Sequence, residues 1–350
     1  MKNLALILML LILTGAGCFD FGRNKNVGTD GGVFKTVDQG IEWVQSVLVP
    51  TTQGVGTLAT TNIIALEMDP QDEKVFYIGT TDSGMLYSLD GAASWQQPRE
   101  KSLQEGAVQD IDVDPKNICR VFIAKGSRLY STQDCLRSVD DEVYLDSRSK
   151  VRVMDVEVDW YDSNVIWIGL SNGDVLKSLN GGQNWKTVLN SKQAVSSIIV
   201  SNSDSRQVFV GTAKGLHITT DGGENFELLD DELKEFRNSD AIYDIKQSKD
   251  GSVVIAATKY GLVRSKDFGK TWEGIQLLTT PGQVTIRALA MLDDNPNNIF
   301  YATTGTFYRT NDAGVTWEPQ TIPSNRTPRR IVVDPTDQNV LYVAVAAEQR

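Results

Sequence analysis

Histidine is nearly missing from this chain of 350 residues: there is one, His217. That excludes His-rich metal centres and leaves little room for Ser–His or Cys–His nucleophilic pairs. Three cysteines are too few for a disulfide-stapled miniprotein. Positive charge is in deficit, with 34 Lys and Arg against 45 Asp and Glu, for a net charge of −11. A nucleic-acid partner needs a basic face, so none is expected. Nor does protein charge alone draw the chain to an anionic bilayer. The one notable apolar run, at the N-terminus, is too short to span a hydrocarbon core of ~30 Å. No cofactor or metal is expected. The remaining composition is that of an ordinary globular chain, and length alone allows two or three domains.

The N-terminus reads as an address. Met1-Lys2-Asn3 is short and positive, Leu4 to Leu13 is apolar, and Thr14-Gly15-Ala16-Gly17-Cys18 follows. This is the pattern of an export signal. Small residues before a cysteine resemble the bacterial lipobox, although Gly15 stands where that motif has an aliphatic residue. The resemblance implies that residues 1–17 are a signal peptide and that Cys18 becomes a diacylated N-terminus. An ordinary cleaved signal with a chance cysteine is the alternative. Residues 18–32, rich in Gly, Asn and Asp, read as a lipidated flexible tether. The expectation is a protein on the extracytoplasmic face of a bacterial membrane, its bilayer contact made through acylated Cys18 and its propeller monomeric.

A repeat governs the rest. The string Thr36-Val37-Asp38-Gln39-Gly40-Ile41-Glu42-Trp43 returns six times, carrying Asp90 and Trp95, Asp134, Asn180 and Trp185, Asp221 and Phe226, Asp267 and Trp272, and Asp312 and Trp317. The copy at Asp134 is decayed, with Val139 in place of the aromatic. In the pattern S/T-x-D-x-G-x-x-W, Asp accepts backbone N–H groups of its own turn and Gly takes a positive-φ position. The aromatic folds under the loop, where its burial contributes about 2–3 kcal/mol.

Between these copies lie short β runs, often ending in Asp-Pro, followed by β runs ending in Gly or Ala at 79, 124, 169, 211, 257, 302 and 344. Four strands (A to D) per repeat of about 45 residues describe one propeller blade. Trp43 has C and D strands but no A and B before it, and Ala344 has A and B but no C and D after it. The two ends therefore complete each other. The expectation is an all-β, seven-bladed propeller over residues 33–350, closed by pairing of N- and C-terminal strands.

The repeat resembles the Asp-box, or BNR repeat. Over about residues 33–350 the pattern is similar to sortilin-type (VPS10) propellers and to photosystem II assembly-factor propellers, which implies a binding or assembly role. Asp-boxes also occur in sialidases and xyloglucanase-type glycosidases. The sialidase Arg-Ile-Pro entry is lacking, and only one propeller fits here, whereas the xyloglucanase type places its acids between two.

Three further groups are candidates. Cys119 and Cys135 flank one hairpin, at equal distance from its turn; either a disulfide or two free thiols fits. A strands carry Glu67, Asp110, Asp112, Asp155, Glu157 and Asp244, and also Arg152, Arg287, Arg329 and Arg330. The acids are expected to line the central channel, as a cation, amine or sugar site or as solvated wall; the arginines, Arg287 and Arg330 as channel candidates among them, pair with those acids or form a small basic patch. Three functions remain: a lipid-anchored, non-enzymatic module binding protein or glycan at the cell envelope, a glycoside hydrolase acting on extracellular polysaccharide, or a structural envelope protein with no small ligand.

Overall fold

The computed structural model describes residues 28–348. Its strands form seven antiparallel blades. Six follow one another along the chain, with A strands at Ile63–Asp69, Val108–Val113, Val153–Val158, Val195–Val200, Ile242–Gln247 and Ala288–Met291, which begin blades I to VI. Blade VII takes A and B (Thr327–Val333 and Leu341–Ala346) from the C-terminal end and C and D (Gly32–Thr36 and Val44–Ser46) from the N-terminal end. Gly32 pairs with Val345 and Thr36 with Leu341, so the expected interlock is present. The A strands contact one another in a closed ring, blade VII touching blade I.

Blade I departs from four full strands. Its D strand shrinks to a single bridge, Tyr87 with Gln96. An extra hairpin, Leu48–Thr51 with Gly54–Thr57, precedes it, and Leu48 O accepts the Trp95 amide at 2.8 Å. The loop at 228–241 holds a helical turn, Asp230–Leu233.

The core is a chain of seven apolar clusters, each shared by two neighbouring blades. This explains the small residue that ends each B strand. A Cβ on Gly211 would lie 2.6 Å from Ile242 of the next blade, and one on Gly169 would strike Val195. The following A strand packs directly onto that position, so only Gly or Ala fits.

The Asp-boxes close the opposite end of each blade from the ends of the described chain. In blade VI, Thr310 Oγ1 donates to Asp312 Oδ1 (2.6 Å) and accepts the Gly314 amide (3.1 Å); Asp312 in turn accepts the Thr316 amide and hydroxyl. Asp38, Asp90, Asp134, Asn180, Asp221 and Asp267 accept the equivalent amides. Blade II thus keeps every turn hydrogen bond although Leu136 stands at the glycine position and Val139 at the aromatic one. Two consecutive residues, not one, take left-handed φ in every box, including Phe268–Gly269 and Cys135–Leu136. Trp95, Trp272 and Trp317 are buried, while Trp43, Trp185 and Phe226 are half-buried. The indoles also join blades: Trp95 Nε1 donates to Ser46 O, Trp185 Nε1 to Val143 O and Trp317 Nε1 to Gln276 O.

Cys119 and Cys135 form a disulfide, with Cα atoms 4.1 Å apart. They lie just outside the ladder rather than at its strand ends: Val121 pairs with Thr132, and Cys135 sits in the left-handed turn of the blade II box. Cys18 lies outside the described residues.

Candidate functional site

Along an A strand, side chains alternate between the core, where Ile111, Val156 and Ile245 are buried, and the channel. Pairing with the B strands sets the channel residues in two levels. Asp110, Asp155, Ser197, Asp244 and Arg330 stand at one level, each opposite the small residue of its B strand. Glu67, Asp112, Glu157 and Lys246 stand two residues further along. Each level therefore sets three carboxylates against one cation. Lys246, absent from the sequence-based candidates, belongs here; its spacing of two from Asp244 was the available signal.

Four of these carboxylates hold a neighbouring blade. Asp110 Oδ2 accepts the Val156 amide (3.0 Å) and Asp112 Oδ2 that of Val158 (2.6 Å). One blade on, Asp155 Oδ2 accepts Ile198 N (2.8 Å) and Glu157 Oε1 accepts Val200 N (3.1 Å). The acids thus pin blade II to blade III and blade III to blade IV. Asp244 accepts the Ile245 amide and lies 3.4 Å from Lys246 Nζ. Arg330 reaches past blade I to within 3.8 Å of Asp110.

Desolvation dominates the electrostatics. Burial, with Asp110 adding repulsion, pushes Glu67 up to about 8. Burial raises Asp110 to about 6 against the pull of Arg330. Asp112, Asp155 and Glu157 are likewise raised, by burial first and then by Glu67, Asp110 and Asp112 respectively. For Arg330 burial opposes the charge, yet Asp244, Asp110 and Asp155 hold its pKa above the usual value. Close together and shielded from water, these carboxyls hold their protons more tightly than free ones and titrate as a set rather than singly. Among the described residues, no group of His, Cys, Asp and Glu is arranged to hold a metal ion.

One residue before the first level, the A strands bulge, at Gln109, Met154, Ser196, Tyr243 and Arg329. Here the channel opens into a cavity of about 370 Å³ lined by Gln109, Met154, Arg152, Arg287, Arg329 and Glu348, among others. Arg287 therefore lines the mouth rather than the acid levels, its guanidinium 4.9 Å from the Tyr243 ring centroid. Arg329 Nε is buried without a partner. Burial, then the neighbouring Arg287, lowers the Arg329 pKa. His217 is remote from all this, on the C strand of blade IV.

Both ends of the described chain emerge beside this mouth. Residues 28–31, which the sequence reading places in the tether, are clasped by Arg326: Gly28 O and Asp30 Oδ1 accept from its guanidinium. Among the described residues, no helix is long and apolar enough to cross a membrane.

Residues 188–348 match the family model described as photosynthesis system II assembly factor YCF48. Vacuolar protein sorting/targeting protein 10 of Komagataella phaffii is 32% identical over 87 residues, covering 24% of this chain and 6% of that protein. Among solved structures, YCF48 bound to D1 peptide superposes with TM-score 0.63 at 15% identity, covering 85% of this chain and 95% of that one. The GH74 xyloglucanase of Xanthomonas campestris gives TM-score 0.65 at 15% identity, covering 82% and 51%. The Niastella koreensis GH74 enzyme gives 0.63 at 13%, covering 89% and 53%. The chain spans about half the length of the GH74 enzymes and a small part of the sorting protein. At these identities the structural likeness shows the propeller fold. The resemblance to assembly-factor and sortilin-type propellers is carried by the family model and the sorting protein.

Proposed function

We propose that this chain is an exported, lipid-anchored, non-enzymatic propeller that binds a protein or glycan segment at the bacterial cell envelope. The observation that carries this reading is the commitment of the channel acids. Asp110, Asp112, Asp155 and Glu157 each accept a backbone amide of the next blade, and the Asp-box acids are tied into their turns. A hydrolase needs two carboxyl groups free to face a sugar, about 5–10 Å apart. Here most candidates serve the fold. The solved complex of YCF48 with D1 peptide supports a protein segment as ligand. The bulged mouth and the loops around it supply the binding face, and the anchor rests on the sequence before Cys18.

A glycoside hydrolase is the second reading. The likeness to GH74 enzymes favours it in fold, and Glu67, with a pKa raised to about 8, has the property of a general acid. A screen of the purified protein on aryl-glycosides and xyloglucan separates the two. No turnover is expected; turnover abolished by Glu67→Gln would establish the hydrolase instead. For the anchor, fatty-acid labelling in cells is expected and should disappear in Cys18→Ala; labelling retained in that variant would refute it.

A further inference from the structure

The channel mouth concentrates positive charge without matching it. Arg152, Arg287 and Arg329 line one cavity, and Glu348 is the single carboxylate among its lining residues. None of the three arginines makes an ion pair among the described residues, although Arg326, Arg330, Arg264 and Arg309 all do. Arg329 is half-buried, its Nε–H is shut from water without an acceptor, and Arg287 presses on its charge. A guanidinium N–H shut from water with no acceptor is costly to keep, so an acceptor supplied from outside is well placed to bind.

We propose that this mouth is a binding site for a compact dianionic oxyanion, a phosphate monoester. Three guanidiniums against one carboxylate leave about two charges unbalanced. A phosphate monoester carries about −1.5 to −2 at pH 7 on three acceptor oxygens, and the planar fork of arginine meets such a group bidentately. A monocarboxylate neutralises only half as much. The cavity, about 370 Å³, admits a headgroup-sized ligand. Met154 and the alanines at 346 and 347 give its organic part an apolar wall. Immediately below, three aspartates face one arginine, so an anion is held at the mouth and does not pass into the channel. The site shares its face with the proposed function but is independent of the lipid anchor.

The test is calorimetric titration of the full chain in neutral detergent with inorganic phosphate at constant ionic strength. Saturable binding is expected, weakened at least about 10-fold by Arg287→Gln and by Arg329→Gln. The exposed Arg152→Gln, which spares the fold, is expected to weaken it a few-fold. Absence of saturation overturns the site, as does binding unaffected by Arg152→Gln and Arg287→Gln in variants that unfold normally. Acetate binding as tightly as phosphate overturns the dianion assignment in favour of a carboxylate. Phosphatidylcholine vesicles with and without phosphatidic acid then assign the source. Arg287-dependent retention on the phosphatidic acid vesicles supports a lipid phosphate, and phosphate binding without retention supports a soluble one.

Discussion

The Arg326 guanidinium lies 3.3 Å from Asp30 Oδ1 and also donates to Gly28 O, Thr61 O and Asn62 Oδ1 at 2.7–3.0 Å. One buried side chain, 5% exposed, so joins the N-terminal segment, the entry to blade I and the start of blade VII. Removing one partner of such a buried, hydrogen-bonded charge costs about 3–5 kcal/mol. We expect Arg326→Ala to lose that much in urea unfolding, while Lys249→Ala, which breaks an exposed pair with Asp294, loses less than about 1 kcal/mol. Equal losses would show that the seam is not held here.

Glu67 predicts an inverted pH dependence. Its folded pKa, about 8, lies above the unfolded value of about 4.3. Between these the native state binds more protons than the unfolded one, so stability falls as pH rises from about 4 to 8. Glu67→Gln, which needs no proton, should flatten this fall and gain up to about 5 kcal/mol at pH 8, the size these two values imply. Denaturation midpoints across that pH range decide it; a wild-type curve rising with pH would contradict the shift.

The Cys119–Cys135 disulfide closes a loop of 16 residues in sequence separation. Constraining a loop of that size contributes about 3 kcal/mol. Reduction, or the double substitution Cys119→Ser with Cys135→Ser, should destabilise blade II by about that amount. Unfolded, unreduced protein should show neither thiol in a titration.

Within the Asp-boxes, hydrogen bonding and aromatic burial should separate. Asn180 accepts the Asn184 amide with its amide oxygen alone, so Asp267→Asn should cost under about 1 kcal/mol and Asp267→Ala about 1–2. Trp95 is fully buried and donates to Ser46 O, so Trp95→Ala should cost about 3–5 kcal/mol. Thermal unfolding of the three variants gives the order directly.

The architecture was legible because its devices are local and repeated. A tight turn needs Ser or Thr, Asp and Gly in fixed order, and Asp312 or Asp38 announces it wherever it occurs. The B-strand markers, such as Gly169, were visible for the same reason, although only the packed Val195 explains why they are small. The interlock followed from strands missing at each end. The role of the acids was not legible. Asp110 and Asp155 could be placed on A strands, but which amide each accepts depends on the stagger between blades. Arg326 carries no pattern at all: it is an isolated loop residue whose five acceptors, on Gly28, Asp30, Thr60, Thr61 and Asn62, are far away in sequence. Hairpin symmetry brings Cys119 and Cys135 opposite each other but does not describe the box turn, whose paired left-handed residues carry Cys135 beyond the ladder.

Blade VII has a kinetic consequence. Its Gly32–Val345 pairing joins residues at nearly opposite ends of the chain, and contacts of such sequence separation form slowly. A polypeptide emerging N-terminus first can assemble blades I to VI in order, but Val33 and Phe34, paired on one side with Ser46 and Gln45, lack their partners on the other until Ala344 and Val343 arrive. Until then one edge of that strand and two apolar clusters stay open to solvent, so the strand at 341–346 decides when the strand at 32–36 becomes safe from aggregation.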